Sequence, residues 1–224
     1  MGTSMTTFLE IAITCGACAH AFKHKALTST NTFGSPDLDT RPAEMQRSTM
    51  DTWIARCPGC GYCSKDVQEY ESQFAVVIQS PKYQAQLIDP GYPELTNTFI
   101  CAAMIAEACD NSADSGWAWL HAAWTLDDTK NKKLAREARS TAADRFLAVL
   151  GRGEQFSEQD GASALITVEC LRRVGRMEEA LKLIHSAKRA SPPDVIEEIL
   201  NYELELIESG DKKNHLIQDA LKNK

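Results

Sequence analysis

Four of the eight cysteines fall in two pairs of identical spacing, Cys15-Gly16-Ala17-Cys18 and Cys57-Pro58-Gly59-Cys60. Two residues between thiols let both sulfurs of one tight turn reach a single ion. Two such pairs are therefore the pattern of a tetrahedral four-thiolate zinc site, with Cys15, Cys18, Cys57 and Cys60 as ligands. Pro58 and Gly59 tighten the second turn, and Gly61 can take the positive φ that turns backbone N–H groups towards sulfur. Such a centre has no open coordination position at which to activate water. Its expected role is structural, with one zinc supplying much of the folding energy of a segment whose own core is small. Iron in a rubredoxin-like site and a thiol–disulfide pair are the alternatives for the same residues. A redox Cys-x-x-Cys would want a βαβ setting, which this stretch lacks.

Cys63 is an additional thiol three residues beyond Cys60. Its place near a metal turn and an expected helix start suggests a depressed pKa. The readings are a spare thiol, an exchanging ligand or a redox sensor. His20 and His24 flank the first pair and are expected beside the site rather than in it. Cys101, Cys109 and Cys170 lie in Ala-rich helical stretches and read as small buried residues.

Trp117, Trp119, His121 and Trp124 precede Asp127-Asp128 in a dense cluster. Core aromatics and a charged helix end account for it; a ligand groove lined by Trp117, His121 and Trp124 is the alternative. Arg172-Arg173 with Arg176, and Lys130 with Lys132 and Lys133, read as solvated basic faces. No Ser/His/Asp arrangement, phosphate-binding Gly loop or His-Glu-x-x-His is present, so the expectation is a non-enzyme with no small-molecule substrate.

These residues need elements to hold them. Phe8–Thr14 and Ala19–Leu27 read as strands on either side of the first turn, and Thr52–Arg56 as a strand into the second. The 38 residues between the pairs form an insertion: a loop over Thr28–Arg41, then a short helix over Pro42–Met50. After Cys63 the period changes. Asp66 and Glu69 look like a capping box, with Val67, Tyr70, Phe74 and Val77 on one helical face. Further helices are expected over Pro81–Ile88, Glu94–Ala108, Gly116–Leu126, Lys132–Leu150, a segment ending at Val174, Met177–Ala190, Pro192–Ile207 and His215–Leu221. Gly175, Ala180, Ala187 and Pro192 fall at the offsets of a tetratricopeptide repeat, with Ile184 in the large position between them. Trp117–Leu150 reads as a diverged helical hairpin before it.

The composition bounds the function. The chain has 224 residues, 43% hydrophobic and 25% charged, with net charge −7 and pI about 5.3. A protein living on phosphate contacts would be basic. Residues 1–70 carry six Lys/Arg against seven Asp/Glu, leaving the metal-binding part near neutral, so a nucleic-acid-associated ribbon is the least favoured reading. Eight Cys is too sparse for a disulfide scaffold. Met1–Glu10 lacks the basic and apolar regions of a signal peptide, and no apolar run would span a membrane. A cytoplasmic protein with reduced thiols is expected. Met1–Thr6 fits a loose N-myristoylation pattern, although a short leader before a start at Met5 explains it as well.

Cys15–Cys18, the loop Asp37-Leu38-Asp39-Thr40-Arg41-Pro42, the knuckle Cys57–Tyr62, and the helices carrying Ala122–Asp128 and Leu171–Gly175 together resemble a bacterial domain of unknown function, number 2225. The similarity spans most of the chain. It implies a metal centre joined to tetratricopeptide-like helices, with no agreed activity. Cys63 departs from the small residue expected there. The resulting expectation is an α+β, mainly α, protein. A zinc-ribbon-like domain (8–65) with a long insertion packs on an antiparallel helical array (66–224) that receives a protein or peptide partner. A redox or electron-transfer protein is the alternative.

Overall fold

The computed structural model describes residues 6–221; the myristoylation-like pattern at Met1–Thr6 lies outside them but for its last residue. The fold is α+β and mainly α. Strand β1 (Thr7–Thr14) pairs antiparallel with β2 (Ala21–Ser29), in register from Phe8↔Leu27 to Thr14↔Ala21 with a shift before it at Thr7↔Ser29, so the first Cys pair is the turn of a hairpin. β3 (Thr32–Phe33) and β4 (Glu44–Met45) pair within the insertion, followed by a 3₁₀ helix at Gln46–Thr52. β5 (Ala55–Arg56) and β6 (Cys63–Ser64) clasp the second Cys pair as a second hairpin turn. The Thr52–Arg56 strand is thus confined to its last two residues.

The helices follow: α1 (Phe74–Ile78), α2 (Pro81–Leu87), α3 (Glu94–Ala108), α4 (Ser112–Asp128), α5 (Lys132–Gly151), α6 (Ala162–Val174), α7 (Met177–Arg189), α8 (Asp194–Glu208) and α9 (Ile217–Leu221). Local chemistry sets their starts. Ser80 caps α2 ahead of Pro81, while the Asn111 and Asn131 side chains accept N–H bonds at the first turns of α4 and α5. From α3 on, each long helix packs on the next. α4 and α5 approach most extensively through Ala122, Ala123, Ala135, Ala138, Ala142 and Ala143, all buried. Gly116 belongs to the same contact: a Cβ there would lie 2.5 Å from the Phe146 ring. Gly175 ends α6 with φ +85°, and Ala180 and Ile184 are fully buried in α7. Among the described residues no helix is long and apolar enough to cross a membrane.

Residues 66–73 are turns rather than the expected first helical turns, because their backbone is already engaged. Val67 O accepts the Gly16 N–H at 2.9 Å, Glu69 O accepts the Tyr62 hydroxyl at 2.8 Å, and Asp66 Oδ1 caps Gln68 N–H within its own turn. These bonds hold the segment against the first knuckle through Val67 and the second through Tyr62, in a course that departs from a helix.

Two large apolar cores form, beside a small one of Ala123, Leu126, Ala135 and Ala138 between α4 and α5. One joins both knuckles to α1, α2 and α3 through Cys15, Cys57, Tyr62, Cys63, Val67, Ile78, Tyr83, Leu87, Cys101 and Ile105. The other runs from α3 to α9 and takes in Leu38, Met50 and Ile54 of the insertion. The cores therefore run across residue 65. The insertion also reaches the far end of the chain, since Leu38 N–H donates to His215 O (3.0 Å) and Ile217 N–H to Pro36 O (2.9 Å).

Candidate metal centre

The two knuckles are built alike. Cys15 N–H donates to His20 O (2.9 Å) and Ala19 N–H to Cys15 O (2.8 Å). In the second, Cys57 N–H donates to Tyr62 O (2.8 Å) and Gly61 N–H to Cys57 O (2.9 Å). The residue after the second cysteine turns left-handed in both, at φ 77° for Gly61 and φ 59° for Ala19. Gly61 is needed twice over, because a Cβ would meet Leu87 Cδ2 at 2.3 Å. Ala19 does without glycine and carries the strain of that conformation.

These turns bring Cys15, Cys18, Cys57 and Cys60 together, with all four sulfurs within 4.8 Å of one another. Cys15 Sγ lies 3.7 Å from Cys60 Sγ, and Cys18 Sγ lies 3.6 Å from Cys57 Sγ. A tetrahedron with metal–sulfur bonds of about 2.3 Å has edges of about 3.8 Å. The close contacts cross between the two pairs, as they do when four ligands surround one point. All four cysteines are free thiols, well beyond disulfide bonding distance.

The donor chemistry agrees with the geometry. Burial raises the Cys15 and Cys60 thiols. At Cys57 burial acts the same way but is outweighed by N–H groups of Cys60 and Gly59 and by the Cys15 and Cys18 thiols, so its pKa falls below the ordinary value. Gly59 N–H points at Cys57 Sγ from 3.3 Å. Four crowded sulfurs cannot all ionise unaided, so the set is suited to a cation that compensates several thiolates. Cys15 and Cys57 are buried, Cys60 is half-buried and Cys18 is exposed.

The flanking groups are outside the cluster. His20 stacks on Phe22 with centroids 6.3 Å apart, and its Cβ and Cγ would touch a Cβ at Gly59. His24 pairs across the hairpin with Ile11. Cys63 points away from the ligands: it is buried, and its thiol donates to Gly61 O at 3.3 Å. Burial and then the neighbouring Cys101 push its pKa well up, the reverse of the depressed thiol expected from its position. Cys101 and Cys170 are buried and Cys109 is half-buried.

The groove expectation divides. Trp124 is in the core, its Nε1–H donating to Asp39 Oδ2 at 2.8 Å, and Trp117 donates to Phe156 O beside Phe146. His121 alone of the three lines a cleft, with Trp53, Phe99, Trp117 and Trp124 centroids 4.9–5.9 Å from its ring. Burial and then the charge of Lys65 bring its pKa down to about 3, leaving a neutral imidazole.

Sequence reasoning missed the buried charges. Arg172 is fully buried rather than solvated. It donates to Glu169 and, at 2.6 Å, to Glu203, and its Nη1 bonds the carbonyls of Asp211 and Lys213. Arg173 is mostly covered as well: it lies 3.2 Å from Asp127 and 3.6 Å from Asp39. Asp39, in the insertion, also faces Arg139 at 3.8 Å, and Arg41 grips both oxygens of Asp128 at 2.7 and 2.6 Å. Only the Asp-rich, Arg-containing loop signalled any of this in the sequence. No family model matches the chain, and neither the curated proteins nor the solved structures offer a match.

Proposed function

We propose that this chain is a non-enzymatic, zinc-structured scaffold. Cys15, Cys18, Cys57 and Cys60 would hold one zinc ion as a closed four-thiolate centre, and the helical array would present a surface to a protein or peptide partner. The observation that carries the reading is the pair of congruent hairpin turns whose sulfurs meet at tetrahedral edge distances. A bound zinc ion would neutralise thiolates and cross-link two hairpins, with every ligand position filled by protein. The chain's own residues do the rest: Tyr62, Val67 and Ile78 seat the knuckles against α1–α3, and the insertion ties the hairpins to the helices. The ribbon-like and tetratricopeptide-like character of the two parts, and kinship with domain of unknown function 2225, belong to this proposal. Apolar side chains left exposed on the helices, Val76 on α1 and Val195 on α8, support a partner-binding role.

Iron is the second reading, because four thiols at these edge distances suit a rubredoxin-like iron site as well. Element-resolved mass spectrometry of the purified protein and of a Cys57→Ser variant tests both. About one zinc per chain is expected, lost in the variant. Hydrogen exchange should then rise in β1, β2 and the 55–67 segment while α4–α8 stay protected. Iron with visible absorbance would replace the scaffold by electron transfer. No metal, with the thiols recovered as disulfides, would overturn the centre.

A further inference from the structure

The cleft lined by His121 has a volume of about 530 Å³, within the range of small-molecule sites. It opens between the 62–74 segment and helices α3 and α4, and none of the four ligand cysteines lines it. Its walls are aromatic on both sides: Trp53, Phe99 and His121 face Tyr62, Tyr70 and Phe74. Tyr62, Tyr70 and Phe74 pack together with centroids 5.8–6.0 Å apart, so that wall is preformed.

The charged lining is one-sided. Asp66, Glu69, Glu71 and Asp114 contribute carboxylates against the single cation Lys65. Lys65 is already held by Asp114 at 3.0 Å. Asp66, Glu69 and Glu71 have no cation within ion-pair distance among the described residues. An aromatic cleft edged by uncompensated carboxylates has two complementary features. Ring faces attract both apolar bodies and ammonium groups, and the carboxylates raise the local concentration of cations. An anionic ligand would meet the same carboxylates as repulsion. The floor does not oppose a cation either, because His121 carries no charge at neutral pH.

We propose that this cleft is a binding site for a small organic cation, an amine with an apolar or aromatic body, seated with the body against the rings and the ammonium towards Glu69 and Glu71. The site is separate from the thiolate centre and does not depend on the scaffold reading. Ala106 lies in the lining on α3, and filling its place removes the space without touching the charges.

The test uses the full-length, metal-loaded protein and three probes of one shape: 4-phenylbutylamine, 4-phenylbutan-1-ol and 4-phenylbutanoate. Binding is followed by calorimetry and by tryptophan fluorescence, Trp53 being the one of the four tryptophans that lines the cleft. The amine should bind saturably and at least about tenfold more tightly than the alcohol, with the carboxylate weaker still. Ala106→Phe should abolish amine binding. Glu69→Gln and Glu71→Gln, at exposed positions that leave the fold intact, should weaken the amine several-fold and leave the alcohol unchanged. Amine and alcohol binding equally, no saturable amine binding to the native protein, or an amine affinity indifferent to both glutamate variants would each overturn the proposal.

Discussion

The two cores solve the same problem in different ways. Each brings together polar groups that burial alone would not tolerate. Around the knuckles those groups are four thiols from two short turns, all of one sign when ionised, and their sulfurs lie where a single cation could balance them. In the helical core the groups are Asp39, Asp127, Arg139 and Arg173, with Glu169, Arg172 and Glu203 nearby. Both signs are supplied by the chain itself. The first arrangement could be completed by a metal ion, and only while its thiols stay reduced. The second depends on every side chain arriving in place, because a buried ion pair that loses a partner is costly.

The sharpest way to break the comparison is to remove the cation from the self-sufficient side. Arg172→Leu leaves Glu203 buried without a counter-charge, and Glu169 with Arg173 alone at 3.9 Å, and should cost about 3–5 kcal/mol in denaturant unfolding at neutral pH. Burial and then the charge of Glu169 already hold Glu203 well above the usual carboxylate range. The folded state therefore keeps that proton longer than the unfolded chain, and this group's contribution to stability falls as pH rises past the usual carboxylate pKa. The penalty of Arg172→Leu should accordingly shrink as pH is lowered and the carboxyls become neutral. A penalty under about 1 kcal/mol would mean the buried pairs do not lock this core as a metal would lock the other.

His121 gives a smaller and oppositely signed effect at the boundary between the cores. The unfolded chain takes up a proton below about pH 6.5, whereas the folded imidazole stays neutral down to about 3. Stability from this residue is complete above pH 6.5 and falls by about 1.4 kcal/mol per unit below it, roughly 2 kcal/mol by pH 5. In His121→Phe, compared at the same metal loading, that part of the acid loss should disappear. Identical pH profiles would show that His121 titrates normally.

The smallest effects compare the knuckles themselves. Ala19→Gly relieves a left-handed alanine and should gain up to about 1 kcal/mol, less the entropy glycine adds to the unfolded chain. Gly61→Ala at the matching position drives a methyl into Leu87 and should lose about 1–3 kcal/mol. Two changes of one sign in thermal melts would end the claim that the turns are equivalent.

The same contrast explains what was legible. The four ligand positions are a local pattern, because one turn fixes the reach of two sulfurs. Helix α3 was equally plain, opened by Pro93 and closed before Asp110-Asn111, and the structure holds it at Glu94–Ala108. What failed was whatever depended on distant partners. Arg172 and Arg173 look solvated in sequence because nothing beside them shows that Glu203 and Asp39 will arrive. The capping pattern at Asp66 and Glu69 is a fair local signal, overruled by the bond from Gly16, some fifty residues earlier. Trp117, His121 and Trp124 fall close together in one helix, yet only His121 reaches the cleft, since helical spacing groups residues without saying which space their side chains enter.

The insertion has a consequence in the order of synthesis. Asp39 is made long before Trp124, Arg139 and Arg173, and 85 positions separate it from the indole that donates to it. The thiol cluster has all its ligands once Cys60 has emerged. A growing chain can therefore close its metal knuckles while the loop at 37–42 still waits in water with its carboxylates solvated. That loop is fully seated only when Arg173 on α6, and then His215 beyond α8, have left the ribosome, so the hairpins have formed well before they are tied to the helices they rest on.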